Sequence, residues 1–582
     1  MTSLLRDLRG CLRLAQKDSR RKMENLLGGR GMRYATLASA AVALMMAASS
    51  CALGPQTANS TGGPLKPIAA STSEASNPAT SRVAAWFEAH RHRPPMMRAF
   101  VQRMPKGGDL HSHLSGAVYA ESYLEWAAEK NFCVDLAAQR LVPPPCKESA
   151  QQPLAKTLLQ NNEARDTLIN KISTRNLDFA GQSGHAQFFA SFGGFSAASN
   201  PYEHGVEMLT EVANRAALQH IQYLELMLTF ESDAVYKLAG KMPRIGRQDQ
   251  VDFGQQRQWL LANGLRTLVN RVRTDLHERV RKYRETLNCD RPSEAQPACN
   301  VTVRRPSEAQ PACSVKIRLI AQTNRVKQPE QVFAQLAFAF ELAQAEPLVV
   351  GVNLVAPEDH EVALRDYNLH MGMVGYLAGQ LPEVNISLHA GELTLGLARP
   401  KDLRFHIRQA VEMAKARRIG HGVDILYEDE PFELMAKMKE RGVLVEICLT
   451  SNDVILKVKG ADHPLPDYLK AGVAVALASD DEGVARIDLS NEYLRAARDY
   501  GLTYPDLKQL ARNSLEYSFL PGESLWQSNA PYTLVSACAA DAPGATSPSQ
   551  SCDQLLKRSP RACEQWRLEA AFTEFENLPW LR

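Results

Sequence analysis

The sequence lacks several features, and each absence narrows what the chain can do. No Cys-x-x-Cys pair occurs among its 11 cysteines, which argues against thiolate zinc knuckles. No Gly-x-Gly-x-x-Gly turn follows any of its apolar runs, so a doubly wound dinucleotide-binding sheet is disfavoured. There is no strong charge of one sign. The chain carries a net +3, and residues 1–50 hold nine Lys/Arg against three Asp/Glu, so a chain starting at Cys51 is left at −3. That leaves no basic face for nucleic acid. Long hydrophobic runs are missing too. The apolar uncharged run from Tyr34 to Ser50 is rich in Ala and Ser and short for a transmembrane helix. What remains, 45% hydrophobic and 23% charged, is ordinary globular composition, and one large barrel with appendages accounts for 582 residues.

The uncharged stretch has another reading. "MRYATLASAAVALMMAASSC" places Arg33 before it and small residues leading to Cys51, the layout of an export signal. Translation is then expected to start at Met23 or Met32. Residues 1–52 are read as leader and export signal, cleaved either as a lipoprotein with a lipid anchor on Cys51 or by an ordinary peptidase after Ala52. The expected location is periplasmic or secreted. Residues 53–82, rich in Ser, Thr, Pro and Gly, read as a disordered tether. The cysteines agree with export. Cys133 and Cys146 lie close together, as do Cys289, Cys299 and Cys313, and Cys538, Cys552 and Cys563. Such clusters suggest local disulfide staples, their connectivity left open. "RPSEAQPACNVTVR" is followed at once by "RPSEAQPACSVKIR", a single duplication that lengthens a surface loop rather than founding a solenoid.

Residues 83–105 read as an N-terminal helical extension and 526–582 as a Cys-containing C-terminal extension. Between them, at 106–525, eight short apolar runs alternate with helical stretches: 106–114, 221–230, 314–324, 347–356, 385–392, 416–425, 442–451 and 472–481. Eight strands alternating with helices predict an α/β fold, a (β/α)8 TIM barrel, here with an insertion around 130–180 after the first strand.

Reactive residues fall at the C-terminal ends of these runs. "DLHSHLSG" (109–116) puts His111 and His113 on one face of a strand. Alone, such a pair is more often a solvated loop or two separately satisfied histidines. Here His389 and Glu392 end the fifth run, His421 the sixth, and Asp480 and Asp481 the eighth. Singly these could be turn, cap and loop residues. Together at one barrel mouth they suit a catalytic zinc with an open position for water. Phe188, Phe189 and Phe192 have helix-core spacing and are weaker candidates for a wall of the mouth. Cys448 reads as a reduced core thiol, and Glu225 as interior packing or a partner behind the site.

The motifs "PKGGDLHSHLSG", "SLHAGE", "RIGHG", "VEICLTSN" and "LASDD" resemble, in order and spacing, the adenosine deaminase family of metal-dependent hydrolases. The resemblance covers most of 83–525. "GVNLVAPED", "SNDVILKV" and "RNSLEYS" are similar to the secreted adenosine deaminase–related growth factors, which carry a disulfide-closed insertion after the first strand and an N-terminal dimerisation element. The resemblance implies one Zn2+ per chain, bound by His111, His113, His389 and Asp480. It implies Glu392 as proton donor to a purine ring nitrogen and His421 as the group orienting the attacking water. Asp481 would contact a second ring nitrogen, with Ser115, Gly116 and Ala356 as further substrate contacts. The implied reaction is hydrolytic deamination of adenosine or 2'-deoxyadenosine to inosine and ammonia, with a purine nucleoside as partner and a homodimer as the assembly. A modified adenosine, another aminopurine, or a non-catalytic binding barrel are the alternatives. The chain departs from the family on the sugar side. Ser115 stands where an Asp is common, Ala356 where Gly is usual, Pro357 where the secreted branch often has His, and Leu449 where a Pro is common.

Overall fold

The computed structural model describes residues 78–177, 183–245, 251–289, 299, 311–529 and 531–581. The expected leader, the lipid-anchor candidate Cys51, nearly all of the tether and most of the duplicated stretch lie outside the described residues. Among the described residues no helix is long and apolar enough to cross a membrane.

Among the described residues there are twelve strands: β1 (Gly107–His113), β2 (Cys133–Asp135), β3 (Arg140–Val142), β4 (Ile221–Leu228), β5 (Lys316–Asn324), β6 (Val349–Val355), β7 (Asn385–Ala390), β8 (Arg418–His421), β9 (Leu444–Ile447), β10 (Ala474–Leu477), β11 (Trp526–Asn529) and β12 (Tyr532–Leu534). Eight of them form one parallel sheet in the order β1-β4-β5-β6-β7-β8-β9-β10. The sheet closes just beyond β10, where Asp480 bridges to Ser112. Asp480 N donates to His111 O and His113 N donates to Asp480 O, both at 2.9 Å. Each expected strand is found, trimmed at its ends. This is the (β/α)8 barrel, and its closing hydrogen bonds come from the backbone of candidate site residues. Between Asp109 and Ser112 the register of β1 against β4 slips, a bulge beside the site of the kind that re-aims a side chain.

Helices fill the outer layer. Residues before the barrel form α1 (Pro78–His90) and α2 (Pro94–Arg103), so 78–82, expected as tether, are helical. The insertion after β1 carries the β2–β3 hairpin, stapled by Cys133–Cys146, then α3 (Gly184–Phe195) and α4 (Pro201–Leu218). Ser183 caps α3 by accepting from Ala186 N. A second excursion, absent from the sequence reading, runs between β4 and β5. Its main element is α5 (Leu265–Thr286), amphipathic and basic, and Cys289–Cys313 closes it. By contrast α6 (Pro329–Ala345) is apolar nearly all round and buried over most of its length. The site-facing α7 (Leu449–Leu456) and the outer α8 (Tyr504–Glu516) follow. Thr503 and Asp506 form a capping box at the start of α8.

The C-terminal extension closes the bottom of the barrel. Its helix α9 (Pro560–Glu576) packs on α8 through Arg512–Glu569 (2.7 Å) and Lys508–Glu576 (2.8 Å), on α1 through Thr80, which donates to Glu576 at 2.9 Å, and on α2 through an aromatic cluster around Phe100. Disulfide Cys299–Cys563 ties this helix to the loop before β5, and Cys538–Cys552 is local. The expectation of purely local staples therefore needs correction. Two clusters of three cysteines each leave one over after a local pair, and the two leftovers join across 264 residues.

Candidate active site

Four imidazoles and a carboxylate meet at the C-terminal mouth of the barrel. His111 Nε2 lies 3.0 Å from His389 Nε2, and His113 Nε2 lies 3.2 Å from it. Asp480 Oδ1 is 3.5 Å from His111 Nε2 and 3.3 Å from His113 Nε2. The ligand atoms of His111, His389, His421 and Asp480 all fall within 4.8 Å of one another. Each of these residues is at least nine-tenths buried.

The outer nitrogens explain why the inner ones converge. His111 Nδ1 meets the Glu446 carboxylate at 2.7 Å. His389 Nδ1 meets Asn353 Oδ1 at 2.9 Å, an oxygen that also accepts the His389 backbone N–H. His113 Nδ1 meets Gln322 Oε1 at 2.9 Å. Each acceptor fixes the proton on Nδ1 and leaves the Nε2 lone pair pointing inward. Three lone pairs and a carboxylate oxygen facing one point repel unless a cation sits between them. Zn–N bonds of about 2.0–2.1 Å would place neighbouring ligands roughly 3–3.5 Å apart, as these atoms are. The residues therefore fit a zinc ion. Burial disfavours charge on His111, yet Asp480 and Glu446 outweigh it and lift its pKa to about 10. Burial and the three neighbouring imidazoles hold His389 well below the usual value.

The barrel interior beneath is ionic. Glu446 pairs with Arg418 at 2.6 Å and accepts from Ser387, while Arg418 reaches Glu225 at 2.6 Å. Glu225 also accepts from Tyr223 OH and from Phe519 N. All three charged side chains are fully buried, and each lies against an opposite charge. Glu225 thus supports His111 at two removes. On the other side of the site Ser451 donates to Asp480 Oδ2 at 2.6 Å.

Glu392 stands apart from the convergent atoms, its Oε1 3.8 Å from His421 Nε2. Glu358 holds the segment by accepting the backbone N–H groups of Gly391 (3.1 Å) and Glu392 (2.8 Å), and a bond from His406. Burial, then the negative charges of Asp480 and Glu358, push the Glu392 carboxyl well above its ordinary range. Burial and adjacent Asp480 do the same to Asp481. Both shifts favour the protonated acid. Burial lowers His421 to about 4. Asp480 (φ +59°), His421 (+68°) and Ala356 (+85°) all adopt left-handed backbone, strained for residues with a Cβ and typical of functional sites. This conformation accounts physically for glycine being usual at position 356.

The mouth itself is a cavity of about 410 Å³. His113, His389, His421, Glu392, Asp480 and Asp481 line its floor, with Ser115, Ala356 and Pro357 on the rim. Gly116 lies beneath Asp481, and a Cβ there would come within 1.5 Å of Asp481 Oδ1, so only glycine leaves room. Phe188, Phe189 and Phe192 of α3 form one wall; Phe188 is buried, and the other two are half-buried. Their helix-core spacing and their wall position are both realised. Thr229, Gln322 and Asn324 from the ends of β4 and β5 complete the lining. Sequence reading passed over Gln322, Asn353, Glu358 and Ser451, for which no short motif gave a signal. Cys448 is free and buried, as expected.

Residues 297–526, which include β5 to β10 and the His389, Glu392, His421 and Asp480 segments, match the adenosine deaminase family model. This stretch of the chain belongs to the adenosine deaminase family. Similar curated proteins include adenosine deaminase of Enterococcus faecalis, 37% identical over 145 residues, which are 25% of this chain and 39% of that protein. Aminodeoxyfutalosine deaminase of Streptomyces coelicolor is 38% identical over 23% of this chain and 33% of its own. The matches span about two-fifths or less of these relatives' lengths. Among solved structures, the N6-methyl-AMP deaminase of Arabidopsis thaliana has a TM-score of 0.44 and 21% identity, covering 73% of this chain and 94% of that one. Adenine deaminase of Arthrobacter aurescens has a TM-score of 0.44 and 18% identity, covering 72% and 94%.

Proposed function

We propose that the protein hydrolytically deaminates adenosine or 2'-deoxyadenosine to the inosine nucleoside and ammonia, with one zinc ion held by His111, His113, His389 and Asp480. The observation that carries this reading is a buried carboxyl, Glu392, on the same rim as a convergent cluster but outside it, in surroundings that favour its acid form. When bound, zinc supplies a water of pKa about 7 and hence a nucleophile at neutral pH. Glu392 gives its proton to a ring nitrogen, so that addition at the amino-bearing carbon does not build charge without a sink. Asp481, protonated and seated over Gly116, donates to a second ring nitrogen. The aromatic wall of α3 and Pro357 shield the purine. Water adds, ammonia leaves and the carbonyl forms.

None of the described residues lining the mouth is Lys or Arg, which supports a nucleoside over a nucleotide. Steady-state ammonia release on adenosine, 2'-deoxyadenosine, N6-methyladenosine, AMP and adenine tests this. Adenosine or its 2'-deoxy form should have the highest kcat/KM; a preference for AMP or adenine would overturn the substrate assignment. We place the enzyme outside the cytoplasm, a reading that the four disulfides support. The mature N-terminus should lie at or just after Cys51, and a chain beginning at Met1 with reduced cysteines would refute export. Cys51→Ala should free the protein from membranes if Cys51 carries lipid.

A further inference from the structure

The role of His421 turns on which ring nitrogen carries its proton. A proton on Nδ1 would leave Nε2 as a lone pair, a further metal ligand or a base. A proton on Nε2 makes the residue a donor into the mouth and bars it from a metal. His421 alone does not decide this. As placed, Asn452 Oδ1 lies 3.0 Å from His421 Nδ1 and Asn452 Nδ2 lies 2.8 Å from His463 Nε2, but the two ends of an amide have the same shape and are told apart only by their hydrogen-bond partners, so these must decide whether the amide is turned over. Asn452 and His463 are both enclosed, at 0% and 1% exposure.

His463 has its tautomer fixed from behind. Its Nδ1 accepts the backbone N–H of Leu465 at 3.1 Å, so that nitrogen carries a lone pair. Burial, then the nearby charge of Arg495, keeps the ring neutral, with a pKa of about 3. A neutral imidazole with a lone pair at Nδ1 has its proton on Nε2. That proton needs an acceptor, and the Asn452 amide is the group beside it. The amide oxygen must then face His463, because two N–H groups opposed at this distance in a buried setting would leave both donors unsatisfied. The amide NH2 is left to face His421 Nδ1, which must accept.

We propose that His463, acting through the Asn452 amide, fixes His421 as its Nε2–H tautomer, so that His421 is a hydrogen-bond donor at the mouth and not a metal ligand or base. The two residues are positioning residues, eleven apart in sequence and linked to the site by one amide. The donated bond serves the attacking water oxygen, and that part rests on the deaminase reading. The tautomer itself does not. The assignment also separates His421 from the imidazoles with which it clusters, leaving His111, His113 and His389 to bind the ion with Asp480.

The test is 15N NMR of the zinc-loaded full chain labelled with [15N]histidine, the His421 resonances being those lost in His421→Gln. The expected spectrum shows the His421 proton on Nε2, and a proton on Nδ1 would overturn the proposal. Asn452→Asp offers only acceptor oxygens, so it should move the His421 proton to Nδ1. With the inward donor lost, kcat should fall about 10²-fold or more while KM and zinc content change little. A switched tautomer with turnover like that of the unaltered enzyme would overturn the functional half. If Asn452→Asp does not fold, the spectrum of the unaltered chain still decides. An Nε2–H spectrum in a protein that deaminates no nucleoside would sink the deaminase reading and leave the relay standing. Deamination by a chain with Nδ1–H would do the reverse.

Discussion

The two sides of the barrel mouth are built differently. On the metal side, His111, His113, His389 and Asp480 each have a hydrogen-bond partner, in Glu446, Gln322, Asn353 and Ser451. Those partners are held in turn, down to Arg418 and Glu225 on the far side of the barrel. On the substrate side, Ser115, Pro357 and the aromatic wall come from insertion and loop segments, and they meet the cavity through packing more than hydrogen bonds. A cluster that must hold several charges in one geometry needs an over-determined frame. A wall that recognises a flat ring needs mainly shape. The difference predicts that substitutions on the metal side abolish function, whereas those on the other side retune it.

The strongest test of that contrast is Asp480→Ala. It removes a ligand and also the acceptor of Ser451 and the partner of two imidazoles. Zinc content and turnover should both fall to background by metal analysis and ammonia release. Full activity in a zinc-free preparation would remove the metal from the mechanism.

Next in size is Glu392→Gln, which keeps shape and removes the proton. Zinc should stay at about one per chain, and kcat should drop roughly 10²–10⁴-fold. The acid acts in its protonated form. Turnover of the unaltered enzyme should therefore hold at neutral pH and fall as pH rises through the raised Glu392 pKa. The residual activity of the variant should lack that alkaline limb. Loss of zinc with deamination kept would make Glu392 a ligand instead.

Gly116→Ala probes the seam between the two sides. The added methyl would meet Asp481 Oδ1 at 1.5 Å, so the carboxyl must move. Losing one hydrogen bond from a buried group of this kind costs about 1.5–3 kcal/mol, or roughly ten- to a hundredfold in kcat/KM. Zinc content should not change. Metal loss would show that Asp481 braces Asp480, and that the two sides are one frame.

Much of this site was visible in the sequence, for reasons that differ by residue. His111 and His113 share a strand face, and a strand imposes that on any His-x-His. The eight strands announced themselves as β-branched runs between helical stretches. The interior ions did so only in part. In "IQYLELML" Glu225 reads as interior packing or a partner behind the site, but its ion partner Arg418, supplied from β8, carries no such signal. Gln322, Asn353 and Glu358 reach the site from neighbouring strand ends, and only the closed barrel brings them there. The helical excursion between β4 and β5 was missed because α5 is charged enough to read as a surface segment of the barrel itself.

The smallest expected effect is also the one that most directly tests the shape argument. Phe189 is half-buried on the cavity wall, edge-on to Phe188 with ring centroids 5.3 Å apart. Phe189→Ala removes aromatic surface that contacts the ring equally before and during reaction. Such uniform binding shows in KM and not in kcat. An aromatic contact of about 0.5–1.5 kcal/mol corresponds to a roughly two- to tenfold rise in KM. Steady-state kinetics on adenosine, with zinc measured in the same preparation, should find kcat and metal unchanged. A fall in kcat at constant KM would mean that the wall aims the purine at Glu392 instead of merely covering it. The substrate side would then be as exacting as the metal side.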